Sequence, residues 1–168
     1  MHTAGALDHP APLVMVDGVT STRIRKIINA PRERVYDALL DPAAVGRWKV
    51  PAGMTCEVHE FDAREGGSIR ISLTYDEPGR AGKTHGRTDT YRGRFVTLVP
   101  GELVVEADEF ETGEPELRGE MTITIRLADA AAGTELVAVH DGLPTGVSPA
   151  DNEVGWREAL ARLAALVE

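Results

Sequence analysis

Residues 148–167 read SPADNEVGWREALARLAALV, and this stretch decides the fold. A serine followed by proline, with a carboxylate at Asp151, is typical of a helix start, because these groups can satisfy the free amides of the first turn. Apolar side chains then recur every three or four positions, at Trp156, Ala159, Leu160, Leu163, Leu166 and Val167. The spacing predicts an amphipathic helix of about five turns that needs an apolar surface to cover.

The preceding part of the chain supplies that surface as a series of predicted strands. Glycine, proline and acidic turn residues separate six alternating segments, which are 55–61, 68–75, 88–99, 102–110, 116–127 and 134–140. Because no helix interrupts them, they are expected to form an antiparallel meander with one apolar face. A further strand is predicted at 21–29, followed by two short helices, one over 31–40 and one that ends near Trp48.

Together these elements predict an α+β protein of the helix-grip (START-like) kind. In this fold a curved seven-stranded antiparallel sheet wraps around a long C-terminal helix, with two short helices between strands 1 and 2. The length of 168 residues fits one domain. We expect residues 1–18, which contain two prolines, to be a flexible arm and residues 19–168 to be the single domain.

The net charge and the cysteine content indicate which classes of partner and which cellular compartment to expect. The net charge of −9 disfavours nucleic acid and membrane surfaces, because both repel an acidic protein. The lone Cys56 cannot form an internal disulfide, and the first residues lack a secretory pattern, so a reducing cytoplasm is expected. No pair of histidine and cysteine residues has the spacing of a metal site, and neither a metal nor another cofactor is expected.

Several short motifs resemble one family. They are Ile28-Asn29-Ala30-Pro31, the run from Val35 to Leu39, Asp41-Pro42 with Trp48, the turn from Phe61 to Gly67, and Gly155-Trp156 with Leu160 and Leu163. These residues resemble bacterial members of the activator of heat-shock-protein-ninety ATPase homologue family, within the START/polyketide-cyclase (SRPBCC, Bet v 1-like) superfamily. The resemblance implies a deep cavity between sheet and helix, used in the superfamily for apolar molecules. The eukaryotic co-chaperone of this family has an additional N-terminal domain that this chain is too short to include.

The first functional hypothesis is a binding module for a small hydrophobic or aromatic ligand. Aromatic side chains and one histidine fall where strands and helices would border such a cavity. The candidate ligand-binding residues are Trp48, Tyr75, Tyr91, Phe95, His140 and Trp156. Either tryptophan could equally be a core residue, and Gly155 indicates a close approach, more readily to a neighbouring strand than to a ligand.

Two other hypotheses stay open. A cyclase, dehydratase or hydrolase would use a buried carboxylate or histidine to move a proton, and Glu57, Glu106 and Asp108 are candidates, with His140 paired to Glu57 or Glu106. The sequence offers no basis for covalent catalysis and names no catalytic residue. A chaperone-associated interaction module is the third hypothesis, and a homodimer formed through a sheet edge or the arm is possible.

Overall fold

The computed structural model describes residues 14–16 and 19–168. These residues form one antiparallel sheet of eight strands, in the order β1-β2-β8-β7-β6-β5-β4-β3. The strands are β1 Val14–Val16, β2 Val19–Ile28, β3 Met54–Phe61, β4 Ser68–Tyr75, β5 Thr88–Val99, β6 Leu103–Phe110, β7 Met121–Ala130 and β8 Gly133–Asp141. The predicted meander is confirmed from β3 to β8, and β2 pairs with β8 to extend it.

The described residues also contain three α-helices. They are α1 Arg32–Leu40, α2 Pro42–Trp48 and α3 Pro149–Val167. The Asp41 carboxylate caps α2 by accepting from the Ala43 amide, and the Ser148 hydroxyl caps α3 by accepting from the Asp151 amide. These are the cap-then-proline arrangements that the sequence indicates. The single antiparallel sheet and the long C-terminal helix α3 confirm the predicted helix-grip α+β fold.

The core lies between the concave face of the sheet and the helices. Ile69 and Ile71 of β4, Ile123 and Ile125 of β7, and Leu136 of β8 belong to one buried cluster. Leu160 and Leu163 of α3 are fully buried in the same cluster. At about 1.5 to 3 kcal/mol for each large apolar side chain, this burial is what holds the sheet and α3 together.

The structure differs from the predicted elements at the start of β7 and by an additional strand, β1. The strand predicted at 116–127 begins only at Met121, because Pro115–Leu117 is a short 3-10 helix and Gly119 follows at φ +118°. The segment Val14–Val16 adds a short eighth strand at the edge of the sheet, paired with β2. The rest of the predicted arm, residues 1–13 and 17–18, lies outside the described residues. Within the described part of the chain, no helix is long and apolar enough to span a bilayer.

The turn between β3 and β4 gives a prediction about stability. A Cβ on Gly67 would lie 1.9 Å from the Asp62 carbonyl oxygen, so Gly67→Ala must displace backbone. We expect this variant to lose more than about 1 kcal/mol of unfolding free energy in urea denaturation. Gly113→Ala is the control, because a Cβ there has no neighbour within 4 Å, and it should stay within about 0.5 kcal/mol of wild type. Equal losses in the two variants would contradict this account.

Candidate functional site

A row of side chains crosses the concave face of the sheet at the level of the first half of α3. Strand register places Phe95 opposite Glu106, Glu106 opposite Ile123, Ile123 opposite His140, and His140 opposite Thr22. All five side chains are buried. Since cross-strand partners share a face, the row brings one carboxylate and one histidine onto the same apolar floor.

Lys49 covers this row from the opposite side. It is the residue that follows α2, and its ammonium group forms a salt bridge with the Glu106 carboxylate. Only 10% of the Lys49 side chain and 4% of the Glu106 side chain are exposed. Burial opposes the charge on Lys49, but its acidic neighbours, Glu106 first among them, raise the pKa of the lysine above its ordinary value. The pair is therefore a charged contact inside the fold.

Aromatic rings surround the Lys49 ammonium. Its Nζ atom lies 5.8 Å from the Tyr91 ring centroid and 6.0 Å from the Trp156 ring centroid. The Trp156 ring meets the His140 ring edge to face, with 6.2 Å between centroids. Burial raises the pKa of the Tyr91 hydroxyl, the Lys49 charge opposes that shift, and the nearby carboxylates support it. Tyr91 is thus an uncharged hydroxyl beside a charged pair.

Asp108 lies two residues along β6 from Glu106 and is 1% exposed. Neither of its carboxyl oxygens has a hydrogen-bond partner among the described residues. Its place depends on Gly93 on the adjacent strand, because a Cβ at Gly93 would lie 2.1 Å from the Asp108 Oδ1 atom. Burial and then the Glu106 charge raise the pKa of Asp108 well above its ordinary value, against the opposing effect of Lys49.

His140 is buried with one ring nitrogen bonded and one unpaired. The Asn152 side-chain amide of α3 lies 3.2 Å from His140 Nδ1 and also donates to the Thr22 hydroxyl at 3.3 Å. His140 Nε2 has no hydrogen-bond partner among the residues described. Burial, together with the Lys49 charge, lowers the pKa of His140 to about 4, although Asp141 acts in the other direction. The imidazole is therefore neutral at neutral pH.

The two halves of α3 pack differently over this site. From Pro149 to Glu158 every residue keeps partial or full exposure, whereas Ala159, Leu160, Leu163, Ala164 and Val167 are buried. The first half is tied to the segment after α2, where Glu158 accepts from the Ala52 amide at 2.8 Å. A Cβ on Gly155 would lie 3.3 Å from the Pro51 ring, so this glycine faces a loop proline. The expected approach of a strand to Gly155 is wrong.

Two surface grooves lie elsewhere. One has a volume of about 470 Å³ and is lined at the α1 end of the sheet by residues that include Arg32, Leu103 and Asp129. The other has a volume of about 260 Å³ and is lined by Glu120 and by residues of β3 to β6 that include Arg92, Arg94 and Asp108. Lys49, Tyr91, His140 and Trp156 line neither groove. Lys49, Tyr91, Glu106, Asp108 and His140 are called the buried polar cluster below. Of these residues, only Asp108 lines one of the two grooves.

The structure brings together some of the residues singled out in the sequence and separates others. Tyr91, His140 and Trp156 surround Lys49, and Phe95 lies next to Glu106 in the row. Trp48 is 1% exposed and its indole N–H donates to the Ala38 carbonyl, as in a core anchor. Tyr75 stacks under the Arg80 guanidinium at 4.4 Å, away from the cluster.

The three carboxylates proposed from the sequence as proton-transfer groups differ in burial. Glu106 and Asp108 are buried in the cluster, whereas the Glu57 side chain is 76% exposed and lies 3.8 Å from His59. Sequence reasoning missed Lys49 and Asn152. Asn152 stands one helical turn before Trp156, so its spacing places it on the inner face of α3. Nothing in the sequence marks Lys49, whose position depends on how the chain leaves α2.

A curved antiparallel sheet around one long helix, with polar side chains buried between them, defines a helix-grip protein, and this fold is commonly a ligand-binding fold. Residues 29–168 match the family described as "Activator of Hsp90 ATPase homolog 1-like protein", and the chain belongs to this family. Proteins of this fold family often bind small hydrophobic ligands.

One solved bacterial structure supports the family assignment, and two others share the fold. A Chromobacterium violaceum protein is 37% identical, with a TM-score of 0.80 over 88% of this chain and 96% of that chain. A Rhodobacter sphaeroides protein is 23% identical, with a TM-score of 0.71 over 87% of this chain and 90% of that chain. An Arthrobacter aurescens protein shares the fold at 17% identity, with a TM-score of 0.73 over 94% and 91%. No curated protein matches the chain significantly.

Proposed function

We propose that this chain binds a small, largely apolar or aromatic molecule between the sheet and the first half of α3. One observation carries the proposal. Asp108 and His140 are buried polar side chains whose free atoms lack partners among the described residues, and they lie around Lys49 below the loosely packed half of the helix. Leaving such atoms unpaired costs about 1 to 3 kcal/mol each, and a bound molecule with polar atoms would recover that cost.

The side chains around Lys49 suit a flat apolar molecule with a polar end. Tyr91 and Trp156 offer ring surfaces, Ile123 and Phe95 provide an apolar floor, and the polar groups stand beside them. A few polar groups in a mainly apolar surrounding are typical of small-molecule sites. In this proposal Trp48 supports the site from the core, and Tyr75 makes no contact with the ligand.

The route to the site is proposed to run under the first half of α3. Between Pro149 and Glu158 the helix contributes no fully buried residue, and its contacts with Pro51 and Ala52 are to a loop. Displacing this half would expose the cluster while the second half stays packed in the core. Such local opening is common in segments with few buried apolar contacts.

Proton transfer is a second candidate function, favoured by one specific observation. Burial raises the pKa of Asp108 and lowers the pKa of His140, and both groups sense the same Lys49 charge. Two titratable groups whose environments move their pKa values in opposite directions are typical of acid–base pairs. A turnover assay on whatever molecule the site holds would distinguish an enzyme from a binding protein.

Native mass spectrometry of the protein purified from its own host tests the binding proposal. We expect a stoichiometric small molecule in the native spectrum, and denaturing extraction would then identify it. Protein recovered entirely without a bound molecule, from cells in several growth conditions, would count against binding.

A filled-site variant locates the molecule. Ile123→Phe adds volume to the floor between Glu106 and His140, and it should abolish co-purification of the molecule. Thr124→Phe is the matched control, because Thr124 is the next residue of β7 and points to the other face of the sheet. Circular dichroism would establish that both variants fold. Retention of the molecule by a folded Ile123→Phe variant would place it elsewhere.

A further inference from the structure

Five residues, 49–53, connect α2 to β3, and we call this segment the strap. Its two ends are fixed to the rest of the fold. Near the start, the Val50 side chain is buried and the Val50 amide donates to the Trp48 carbonyl. At the other end, the Gly53 carbonyl accepts from the Asp76 amide, in the loop that follows β4, at 2.9 Å. The strap therefore has a defined path beside α3.

Contacts with the strap hold part of α3 in place. They are the hydrogen bond from the Ala52 amide to Glu158, the Pro51 ring facing Gly155, and the Lys49 ammonium near the Trp156 ring. All three lie before Ala159, where the buried residues of the helix begin. In the same half, Asn152 reaches Thr22 and His140 of the sheet. The strap and Asn152 thus attach one half of the helix to different parts of the fold.

The strap is in turn attached to the sheet by Lys49. The salt bridge between Lys49 and Glu106 of β6 lies inside the fold, with both side chains nearly fully buried. Breaking a buried pair is more costly than breaking an exposed one, because the remaining charge is left away from water. Since the same ammonium group lies beside Trp156, an effect of Glu106 on α3 is expected to pass through Lys49.

We propose that the strap is the restraint that keeps the first half of α3 closed over the buried polar cluster, and that the Lys49–Glu106 pair holds the strap in position. This inference rests on the binding function proposed above and identifies what regulates entry to its site. Breaking the pair on the sheet loosens a half-helix to which neither residue belongs. Leu160 and Leu163 keep the second half packed meanwhile.

Hydrogen exchange of the full chain, freed of any co-purified small molecule, tests the restraint residue by residue. Glu106→Gln keeps the size of the side chain but removes the charge that pairs with Lys49. Because charge-assisted hydrogen bonds are roughly twice as strong as neutral ones, we expect the amides of residues 153–158 to exchange at least roughly tenfold faster. Glu109→Gln on the same strand breaks an exposed pair and should leave these rates within about twofold of wild type.

A second variant at the same position guards against a failure to fold. Glu106→Asp keeps the counter-charge for Lys49 and withdraws it by one methylene group. We expect this variant to fold and to speed exchange at residues 153–158 by about fivefold, because the pair is lengthened rather than lost. Wild-type rates at residues 153–158 in folded Glu106→Asp and Glu106→Gln would overturn the inference.

The contact between the strap and the helix is tested at Glu158. Glu158→Met removes the acceptor of the Ala52 amide and keeps a good helix former, so exchange at residues 153–158 should rise about fivefold. Glu153→Met is the matched control, because Glu153 pairs with Arg157 of the same helix, and its effect should stay within about twofold. Equal rates in the two variants would contradict a role for the strap.

Gly67→Ala separates local opening from loss of overall stability. This change lies in the turn between β3 and β4 and is expected to destabilise the whole fold. It should therefore speed exchange at residues 160–167, which open by global unfolding, and leave residues 153–158 near their wild-type rates. A proportional rise in both halves would show that α3 opens only with the whole molecule, and would overturn the inference.

The outcomes also separate this inference from the function on which it rests. Exchange is measured without a ligand, so it does not depend on what native mass spectrometry finds. A protein that carries a molecule from its host, but whose half-helix ignores Glu106 and Glu158, would keep the binding function and overturn the restraint. A half-helix that responds to both residues, in a protein that never carries a molecule, would support the restraint and overturn its role in ligand entry.

Discussion

Replacing Lys49 with methionine is expected to lower the free energy of unfolding by about 3 to 5 kcal/mol. The variant leaves the Glu106 carboxylate buried without its counter-ion, in a position where only 4% of that side chain is exposed. A buried, uncompensated charge must either remain costly or take up a proton. Urea denaturation at neutral pH, followed by tryptophan fluorescence, measures the loss.

A double variant and a surface pair serve as controls. Adding Glu106→Leu to Lys49→Met should restore most of the lost stability, because the orphaned charge is gone. Arg92→Met breaks the exposed pair between Arg92 of β5 and Glu109 of β6, whose side chains are 64% and 45% exposed, and should cost no more than about 1 kcal/mol. If the double variant loses the sum of both single losses, Lys49 and Glu106 are not energetically coupled.

Acid is expected to destabilise the protein through His140 by about 3 kcal/mol. Burial and the Lys49 charge lower the pKa of His140 in the folded protein to about 4, from 6.5 in the unfolded chain. Between these values the unfolded chain binds more protons, so the stabilising contribution is complete above about pH 6.5 and is lost as the pH falls through about 4.

The comparison of wild type with His140→Gln isolates this effect. Asp108 has a raised pKa and contributes in the opposite sense, being more favourable in acid, so the wild-type curve alone mixes the two groups. Asp141, Lys49 and Asn152 face His140 in both proteins. We expect the stability difference to shrink toward acid, with the His140 ring proton resonances titrating near pH 4. A titration near 6.5 and a constant difference would contradict the burial of this ring.

The fold could be predicted from the sequence because its signals are local. The stripe on α3 and the alternation of Ile69 and Ile71 in β4 need no knowledge of distant residues, and both elements form where expected. The predicted start of β7 is wrong because Pro115–Leu117 forms a 3-10 helix and Gly119 follows with a positive φ, whereas the alternation of the segment suggests a longer strand.

The site could be predicted only in part, for reasons that concern strand phase and tertiary position. In β6 the neighbours Val104, Val105 and Ala107 are all apolar, so the pattern does not say which face carries Glu106 and Asp108. In the structure the side chains of Glu106 and Asp108 are buried, whereas the side chain of Glu57 on β3 is exposed to solvent. Lys49 could not be found at all, because its reach to Glu106 depends on how α2 packs over a strand 57 residues away.

The unequal packing of α3 has a kinetic consequence. A helix anchored by Leu160 and Leu163 but only lightly held before Ala159 has two opening free energies, one local and one equal to global unfolding. Backbone amides of the first half can then exchange with solvent through frequent, small openings while those of the second half wait for the whole molecule to unfold. If the chain binds a ligand as proposed, the local opening rate would set its entry and release, and its residence time would change without any change in the contacts it makes.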